Sequence, residues 1–217
     1  MIFFVRQILD LSYNHLEVLQ FGQFSGLSGL RIIVLSHNRL RSLPRDVFQS
    51  TSIESVDLSS NEFVAMPTSA LTEVSANLRH LNLSNNAIEH LDSTMFSNMP
   101  HLLSLSFAHN RLTVLPDNIF IGIGGLRTLD LSSNPLRVNF KSLCHFVRRL
   151  NSLRLSGVEL ETLPTLQLPQ LTKLDVSDNR LSDISQVSVE GMPKLRHLNL
   201  SKNKFLRLPC NLSFIVC

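Results

Sequence analysis

The sequence predicts a repeat solenoid of the α/β type, with a parallel β-ladder on a concave face and turns or short helices on a convex face. Three observations predict this fold. A motif of the form leucine–x–leucine–x–x–asparagine recurs along the whole chain, its copies lie about 24 residues apart, and a bulky apolar residue stands ten positions after most of the asparagines. A fixed period of this length is the signature of stacked repeat units.

The motif occurs nine times, and eight copies end in asparagine. Successive end positions lie 24, 23, 25, 24, 24, 24, 21 and 24 residues apart, counting Val158, which takes the place of asparagine in the seventh copy. Because the chain turns inward after each strand, we expect the asparagine amides to bond backbone groups that the turn removes from the ladder. This structural asparagine ladder comprises Asn14, Asn38, Asn61, Asn86, Asn110, Asn134, Asn179 and Asn203.

Alternating leucines in each motif, such as Leu129 and Leu131, predict a short strand whose leucine side chains point inward. One coil cannot bury its apolar face alone, so successive coils stack with strands roughly 4.8 Å apart. The residues ten positions after the last residue of each motif are expected to fill the convex side of the core. Cys144 is one of them and is therefore expected to be a buried thiol. This convex column consists of Phe24, Phe48, Leu71, Phe96, Phe120, Cys144, Leu168 and Val189.

One stretch of the chain departs from the period. Val158 replaces an asparagine, and the coil that follows is shortened around residues 164–169. Just before it, residues 140–149 are typical of a short amphipathic helix. A kink in the solenoid, a docking point for a partner and sequence drift are all compatible with this departure.

The pattern resembles the leucine-rich repeat family over essentially the whole chain, and nine copies in phase make the resemblance highly specific. A period of about 24 residues with Phe in the convex column is similar to the extracellular subclass, whereas cytoplasmic members more often have about 23 residues with Ile or Leu there. The resemblance implies a horseshoe fold, a binding function and an extracellular or cell-surface location. We expect a single array over residues 1–217, of about nine repeats, that lacks the family's caps and is a fragment.

Composition and charge exclude several classes of protein. Apolar residues make up 43% of the chain and charged residues 17%, so a continuous core can form. The net charge of +3 is scattered without a run of Lys or Arg, so nucleic acid is not an expected partner. No apolar run approaches the roughly 18 residues that a membrane span needs, so membrane attachment is expected only through parts missing from this chain.

Three sequons and a cysteine pair bear on the compartment without deciding it. Asn-Leu-Ser triplets make Asn82, Asn199 and Asn211 candidate glycosylation sites. Asn82 and Asn199 fall in predicted strands, so a sugar there would block the concave face locally; both can equally be unmodified. Cys210 and Cys217 lie seven residues apart, and the sequence leaves open whether they pair.

Catalytic chemistry has no recognisable signature in the sequence. Catalysis requires a nucleophile, a base and an orienting group within hydrogen-bonding reach, and no such set is apparent. His37 and His109 share a repeat position but lie three coils apart, roughly 14 Å, which is too far for one zinc ion. The chain is therefore expected not to be an enzyme and to hold no cofactor or metal.

The outward-pointing residues of the strands form the candidate binding surface. The predicted face is rigid, polar and mixed in charge, which suits protein recognition because little conformational entropy is lost on binding. Its candidate binding residues are Asp57, Arg79, His80, Arg127, Asp130, Arg154, Lys173, Asp175 and His197.

Within the family, the coil at residues 134–140 and the shortened coil at residues 164–169 resemble those of the chaoptin-like adhesion proteins. That resemblance implies cell adhesion, with a protein ligand or an identical molecule on another cell as the partner. The alternatives are the ectodomain of a Toll-like or related signalling receptor, a soluble matrix or axon-guidance component of the Slit-like kind, and an intracellular scaffold. A sugar on Asn82 or Asn199 would exclude the scaffold.

Overall fold

The computed structural model describes residues 7–163, 165–183 and 188–207, and within them nine short strands form one parallel sheet. The strands follow one another across the sheet in chain order, so each coil pairs with the coils before and after it. The predicted solenoid with a parallel β-ladder is therefore confirmed. The strands are β1 Gln7–Asp10, β2 Leu30–Val34, β3 Ser55–Asp57, β4 His80–Asn82, β5 Ser104–Ser106, β6 Thr128–Asp130, β7 Ser152–Arg154, β8 Lys173–Asp175 and β9 His197–Asn199.

Each strand pairs with the next at the same position of the motif. Leu81 pairs with Leu105, Leu105 with Leu129, and Leu129 with Leu153. These four leucines are at most 2% exposed, whereas the strand residues on either side of them are partly or fully exposed. Because side chains alternate across a strand, the leucine side of the sheet is core and the other side is the concave surface.

The convex column closes the core on the opposite side. Its members from Phe24 to Phe120 are at most 4% exposed, Cys144 is 8% exposed and Leu168 is fully buried. The predicted convex core is thus confirmed through Leu168, and Val189 is half-buried. The core runs through the solenoid without a break between coils, so the concave surface rests on a continuous packed layer.

In the part of the chain that the structure describes, two short α-helices lie on the convex side. They are α1 Thr68–Leu71, followed by a 3-10 turn Thr72–Val74, and α2 Phe140–Phe146. Asn139 caps the start of α2, because its side-chain oxygen accepts the Ser142 backbone N–H at 3.3 Å. The helix predicted over residues 140–149 is confirmed, but it ends after Phe146. Val147 leaves helical geometry there and is fully buried in the core.

Candidate binding surfaces

The asparagine of each motif fixes the turn that follows its strand. The Asn61 side-chain amide donates to the Leu58 and Ser59 carbonyls of its own coil at 3.1 and 3.2 Å. It also donates to the Leu35 carbonyl of the preceding coil at 2.9 Å, and its oxygen accepts the Leu40 N–H at 3.0 Å. Since a buried, fully satisfied amide rigidifies its surroundings, these bonds hold the concave surface in one shape.

The residue before each motif's end has a left-handed backbone. Most L residues adopt this conformation only at a cost of about 1 kcal/mol or more, so the surrounding hydrogen bonds must impose it. The conformation turns these side chains toward the edge of the concave face. At eight positions φ is 54° or 55°, namely Tyr13, His37, Ser60, Asn85, His109, Ser133, Asp178 and Lys202, and at Gly157 it is 65°.

The acidic candidates on the concave face use their carboxylates to form a second turn. One Asp57 oxygen accepts both the backbone N–H and the hydroxyl of Ser59, at 2.9 and 2.7 Å. Asp130 and Asp175 make the corresponding bond to the serine two residues later, as do further motifs. Sequence reasoning missed this role, although the recurring Asp-x-Ser spacing was a visible signal for a side chain that bonds the backbone two residues on.

Two of the three sequons carry this same turn with asparagine in place of aspartate. Asn82 accepts the Ser84 N–H at 3.1 Å. Asn199 accepts both the Ser201 N–H and the Ser201 hydroxyl, at 3.1 and 2.8 Å. The repeat therefore gives a structural reason for an Asn-Leu-Ser triplet at both positions, and Asn211 lies outside the described residues.

The basic candidates and the two candidate histidines, unlike the acidic residues, extend into solvent. Arg79, His80, Arg127, Arg154, Lys173 and His197 are all exposed. The Arg79 side chain is 50% exposed and lies 3.5 Å from Glu54, and the Arg154 side chain is 52% exposed and lies 3.4 Å from Asp130. Exposed pairs of this kind contribute about 0–1 kcal/mol, so the guanidinium groups can exchange these partners for a ligand at little cost.

Two adjoining grooves collect most of the candidate residues. The larger, of about 640 Å³, is lined by candidates Asp57, His80, Asp130 and Arg154. The smaller, of about 460 Å³, is lined by Arg154, Lys173, Asp175 and His197. Arg154 therefore borders both grooves, whereas the candidates Arg79 and Arg127 stand on the flanking row and line neither.

Sequence reasoning also missed residues at the rim of the larger groove. Asn85, His109 and Ser133 line it from the left-handed position before the motif's end. These side chains reach the groove because the backbone turns at that position. The sequence signal that could have identified them is their fixed place directly before the last residue of each motif.

Hydrogen bonds lower the pKa of one carboxylate at each end of the concave face. Burial tends to raise the pKa of Asp175, but hydrogen bonds from Ser177 and Asn199 and the charge of Arg154 outweigh it and hold the pKa below its usual value. A hydrogen bond from the Ser12 hydroxyl, with a second from its backbone, lowers the pKa of Asp10. Both carboxylates are therefore ionised at neutral pH and are committed to bonds within the chain.

The described residues offer little else for chemistry. No group of three or more His, Cys, Asp or Glu side chains in that part of the chain is placed to hold a metal ion. Burial raises the pKa of the Cys144 thiol, so it is protonated at neutral pH. No described helix has the length and apolar character that crossing a bilayer requires.

The stacked coils and their rigid polar concave face define a leucine-rich repeat domain, a scaffold for protein interaction. The leucine rich repeat family model matches residues 7–63, 76–136 and 148–205, so this chain belongs to that family. The family recognised from the sequence motif is thereby confirmed.

Individual members of the family show how similar the chain is to known proteins. It is 32% identical to Tsukushi of Gallus gallus over 207 residues, which cover 93% of this chain and 55% of Tsukushi. It is 34% identical to Chaoptin of Drosophila melanogaster over 195 residues, covering 84% of this chain and 14% of Chaoptin. The chain thus spans about half the length of the Tsukushi proteins it matches and a smaller part of Chaoptin.

A solved structure of TLR13 in complex with ssRNA13 has a similar fold. It superposes on this chain with a TM-score of 0.74 and 28% sequence identity. The match covers 90% of this chain and 29% of the TLR13 chain.

Proposed function

We propose that this chain is the recognition part of a cell-surface protein that acts in cell adhesion, and that it binds a protein partner through its concave face. The observation that carries the proposal is that the acidic and the basic side chains of that face have different roles. Asp57, Asp130 and Asp175 serve the turns, whereas Arg154 and Lys173 present their charges to solvent. The surface is therefore preformed and offers solvent-exposed donors, which favours binding with little loss of entropy.

The exposed cations indicate what the partner surface should carry. The cations Arg154, Lys173 and Arg196 line one groove, and the carboxylate among them, Asp175, already accepts bonds from Ser177 and Asn199. Electrostatic complementarity favours an acidic patch on the partner. In a homophilic contact, that patch would have to come from another face of an identical molecule.

Several features support an extracellular place for this interaction. The period of about 24 residues with Phe in the convex column is similar to the extracellular subclass. The similarity to Chaoptin agrees with the adhesion role that the shortened coil suggested. Within this proposal the chain acts by binding and not by catalysis, and attachment to the membrane belongs to other parts of the protein.

A protein is a better partner for this face than a nucleic acid. A phosphate backbone is bound by a continuous basic stripe. Here Asp57 and Asp130 line the same groove as Arg154, and they would lie beside any phosphate that Arg154 bound. The TLR13 structure contains an RNA, and this interaction is a property of that protein.

Bead aggregation tests the adhesion proposal directly. Beads coated with the chain should cluster, and the concave variant Arg154→Glu/Lys173→Glu should reduce clustering at least tenfold. The matched control is Arg39→Glu/Arg111→Glu, which reverses the same number of exposed charges outside the grooves. Absence of clustering by correctly folded wild-type protein, at densities where a known adhesion domain clusters, would contradict homophilic adhesion. Equal loss in both variants would contradict the concave site.

The second candidate is the ligand-binding ectodomain of a Toll-like or related signalling receptor. It is favoured by the TM-score of 0.74 and 28% identity to the TLR13 structure. The two functions make different demands on the rest of the protein, since a receptor of this kind needs a transmembrane helix followed by a cytoplasmic signalling domain. Sequencing the full-length transcript distinguishes them, because a cytoplasmic signalling domain favours the receptor and a membrane anchor without one favours adhesion.

A further inference from the structure

The convex side carries a groove of about 550 Å³ that the concave site does not use. It lies between α2 and the return segment of the following coil, and Thr165 and Gln167 form its far side. That coil is three residues shorter than its neighbour, with a step of 21 residues instead of 24. A shorter arc extends less far outward, so the rim formed by α2 stands beside a recess.

The floor of this groove is apolar. Val138 and Phe140 are half-buried, and the Cys144 thiol is 8% exposed, between α2 and the backbone of Gln167. A recess of this size and lining accommodates a bulky apolar side chain, in keeping with the apolar lining typical of ligand pockets.

The rim of the groove is cationic on one side. Lys141 in α2 and Arg148, which follows where the chain leaves the helix, supply the charge, and His145 stands one helical turn after Lys141. All three side chains are exposed, and the described residues that line the groove include no carboxylate. The nearby Asp117 oxygen accepts a hydrogen bond from Asn139 at 2.7 Å, at the opposite end of the helix from Arg148.

We propose that this convex groove binds an acidic peptide segment of a partner protein, with an apolar side chain on the floor and carboxylates facing Lys141 and Arg148. The apolar floor provides affinity through buried surface, and the cationic rim selects for negative charge. The neutral far side, Thr165 and Gln167, supplies polar groups for the peptide backbone. This site is separate from the concave grooves and does not depend on their function.

A labelled hexapeptide of sequence EDLFDE is the probe, measured by fluorescence anisotropy with the full chain. We expect saturable binding in the micromolar range that weakens at least tenfold in Lys141→Glu/Arg148→Glu. A second variant, Thr165→Trp, fills the groove without changing charge and should weaken binding by a similar factor. The control Arg45→Glu/Lys194→Glu changes the same number of exposed cations elsewhere and should change binding by less than twofold.

Two further peptides test the chemistry of recognition. EDSSDE lacks the apolar side chains and KKLFKK lacks the carboxylates, and both should bind at least tenfold more weakly than EDLFDE. Hydrogen exchange should show protection by EDLFDE at residues 138–148 and 165–168 and none at β7 or β8. Protection confined to the strands would overturn the proposed location.

Other results would also overturn the proposal. These are absence of saturable EDLFDE binding up to millimolar peptide, equal losses in the rim variant and the control, or tight binding of EDSSDE. Vesicles containing phosphatidylserine provide the last arm. If they bind in a manner that depends on Lys141 and Arg148 while EDLFDE does not, the groove is a membrane contact and the peptide proposal is wrong.

Discussion

The coils that end at Asn38 through Asn134 and the coil that ends at Val158 make the same turn with different bonds. In the first group, the side-chain oxygen of each asparagine accepts a backbone N–H from the preceding coil, as Asn134 accepts the Leu112 N–H at 3.0 Å. Val158 offers no such acceptor. The Leu136 N–H bonds instead to the Asn134 carbonyl within its own coil, at 2.7 Å.

The motif after Val158 makes one more bond to this turn than the regular motifs make. Asn179 accepts two N–H groups, from Val158 at 3.1 Å and from Leu160 at 2.9 Å. The register of β6, β7 and β8 is unchanged, with Leu153 paired between Leu129 and Leu174. The comparison shows that leucine pairing sets the ladder, whereas the asparagine secures the turn locally, so neighbours can replace one amide.

The largest expected difference between the two regions lies in the convex column. Phe96 is fully buried and its ring lies 6.2 Å from that of Phe107, so Phe96→Ala should lower the free energy of unfolding by about 3–5 kcal/mol. Cys144 holds the same position beside the convex groove, and Cys144→Ala should cost about 1 kcal/mol because it removes one atom. Urea unfolding followed by circular dichroism measures both. A loss of about 3 kcal/mol or more for Cys144→Ala would contradict this explanation, because removal of one sulfur atom from a loosely packed position cannot account for it.

The turn itself gives the next largest effect. Asn110→Ala removes one acceptor and three donated bonds, and should cost about 2–3 kcal/mol because the Ile88 N–H is left buried without a partner. The converse change, Val158→Asn, should alter stability by less than about 1 kcal/mol. The Leu131 carbonyl accepts one side-chain amide, whereas the corresponding Leu35 carbonyl accepts two. The Leu131 carbonyl can therefore accept a second amide, from an asparagine at position 158.

The same urea titrations decide the outcome for Val158→Asn. A loss above about 2 kcal/mol would show that the backbone around Val158 has shifted and that its carbonyls no longer converge on an amide.

The ladder and the convex core were predictable because they follow from a period. Residues equivalent to Leu129 and to Phe96 recur at a fixed spacing, and burial of such a residue in one coil implies burial of its equivalent in the next. The roles of Asp57 and Asp175 were harder to predict, because an outward position on a strand does not reveal that its carboxylate bonds the serine two residues later. The Asp-x-Ser spacing held that information but was interpreted as exposed charge.

The convex groove could not be predicted from the sequence. The 21-residue step indicated an irregular coil, but a kink, a docking point and sequence drift were all compatible with it. The depth of the recess depends on how far the return segment at Thr165 extends relative to α2, and this is a property of packing and not of residue type. The unbroken register across β7 shows that the shortened coil changes the convex side without interrupting the ladder.

A smaller change in stability is expected from the backbone at Gly157 and at Ser133, which holds the same position one coil earlier. Gly157→Ala should cost about 1 kcal/mol, since an L residue is strained at φ 65°. A Cβ there would be 3.6 Å from the Ser133 hydroxyl, so steric contact adds little. Ser133→Gly should stabilise the chain by about 0.5 kcal/mol, because relief of strain exceeds the added entropy of the unfolded chain. Thermal and urea midpoints that move in the same direction for both variants would contradict this explanation.

The smallest expected effect is a pH dependence that separates the two ends of the concave face. The pKa of Asp175 is lowered in the folded chain, so its contribution to stability is present above the unfolded pKa near 3.8 and is lost as the pH falls through the folded value. Asp175→Asn should therefore be less stable than the wild type at pH 5, and the difference between the two should shrink progressively as the pH falls below 3.8. Asp10→Asn is the control, because Asp10 is fully exposed and its lowered pKa rests on Ser12 alone. Its unfolding midpoint should follow the wild type more closely at both pH values, and a larger pH effect at Asp10 would place the important carboxylate at the other end of the ladder.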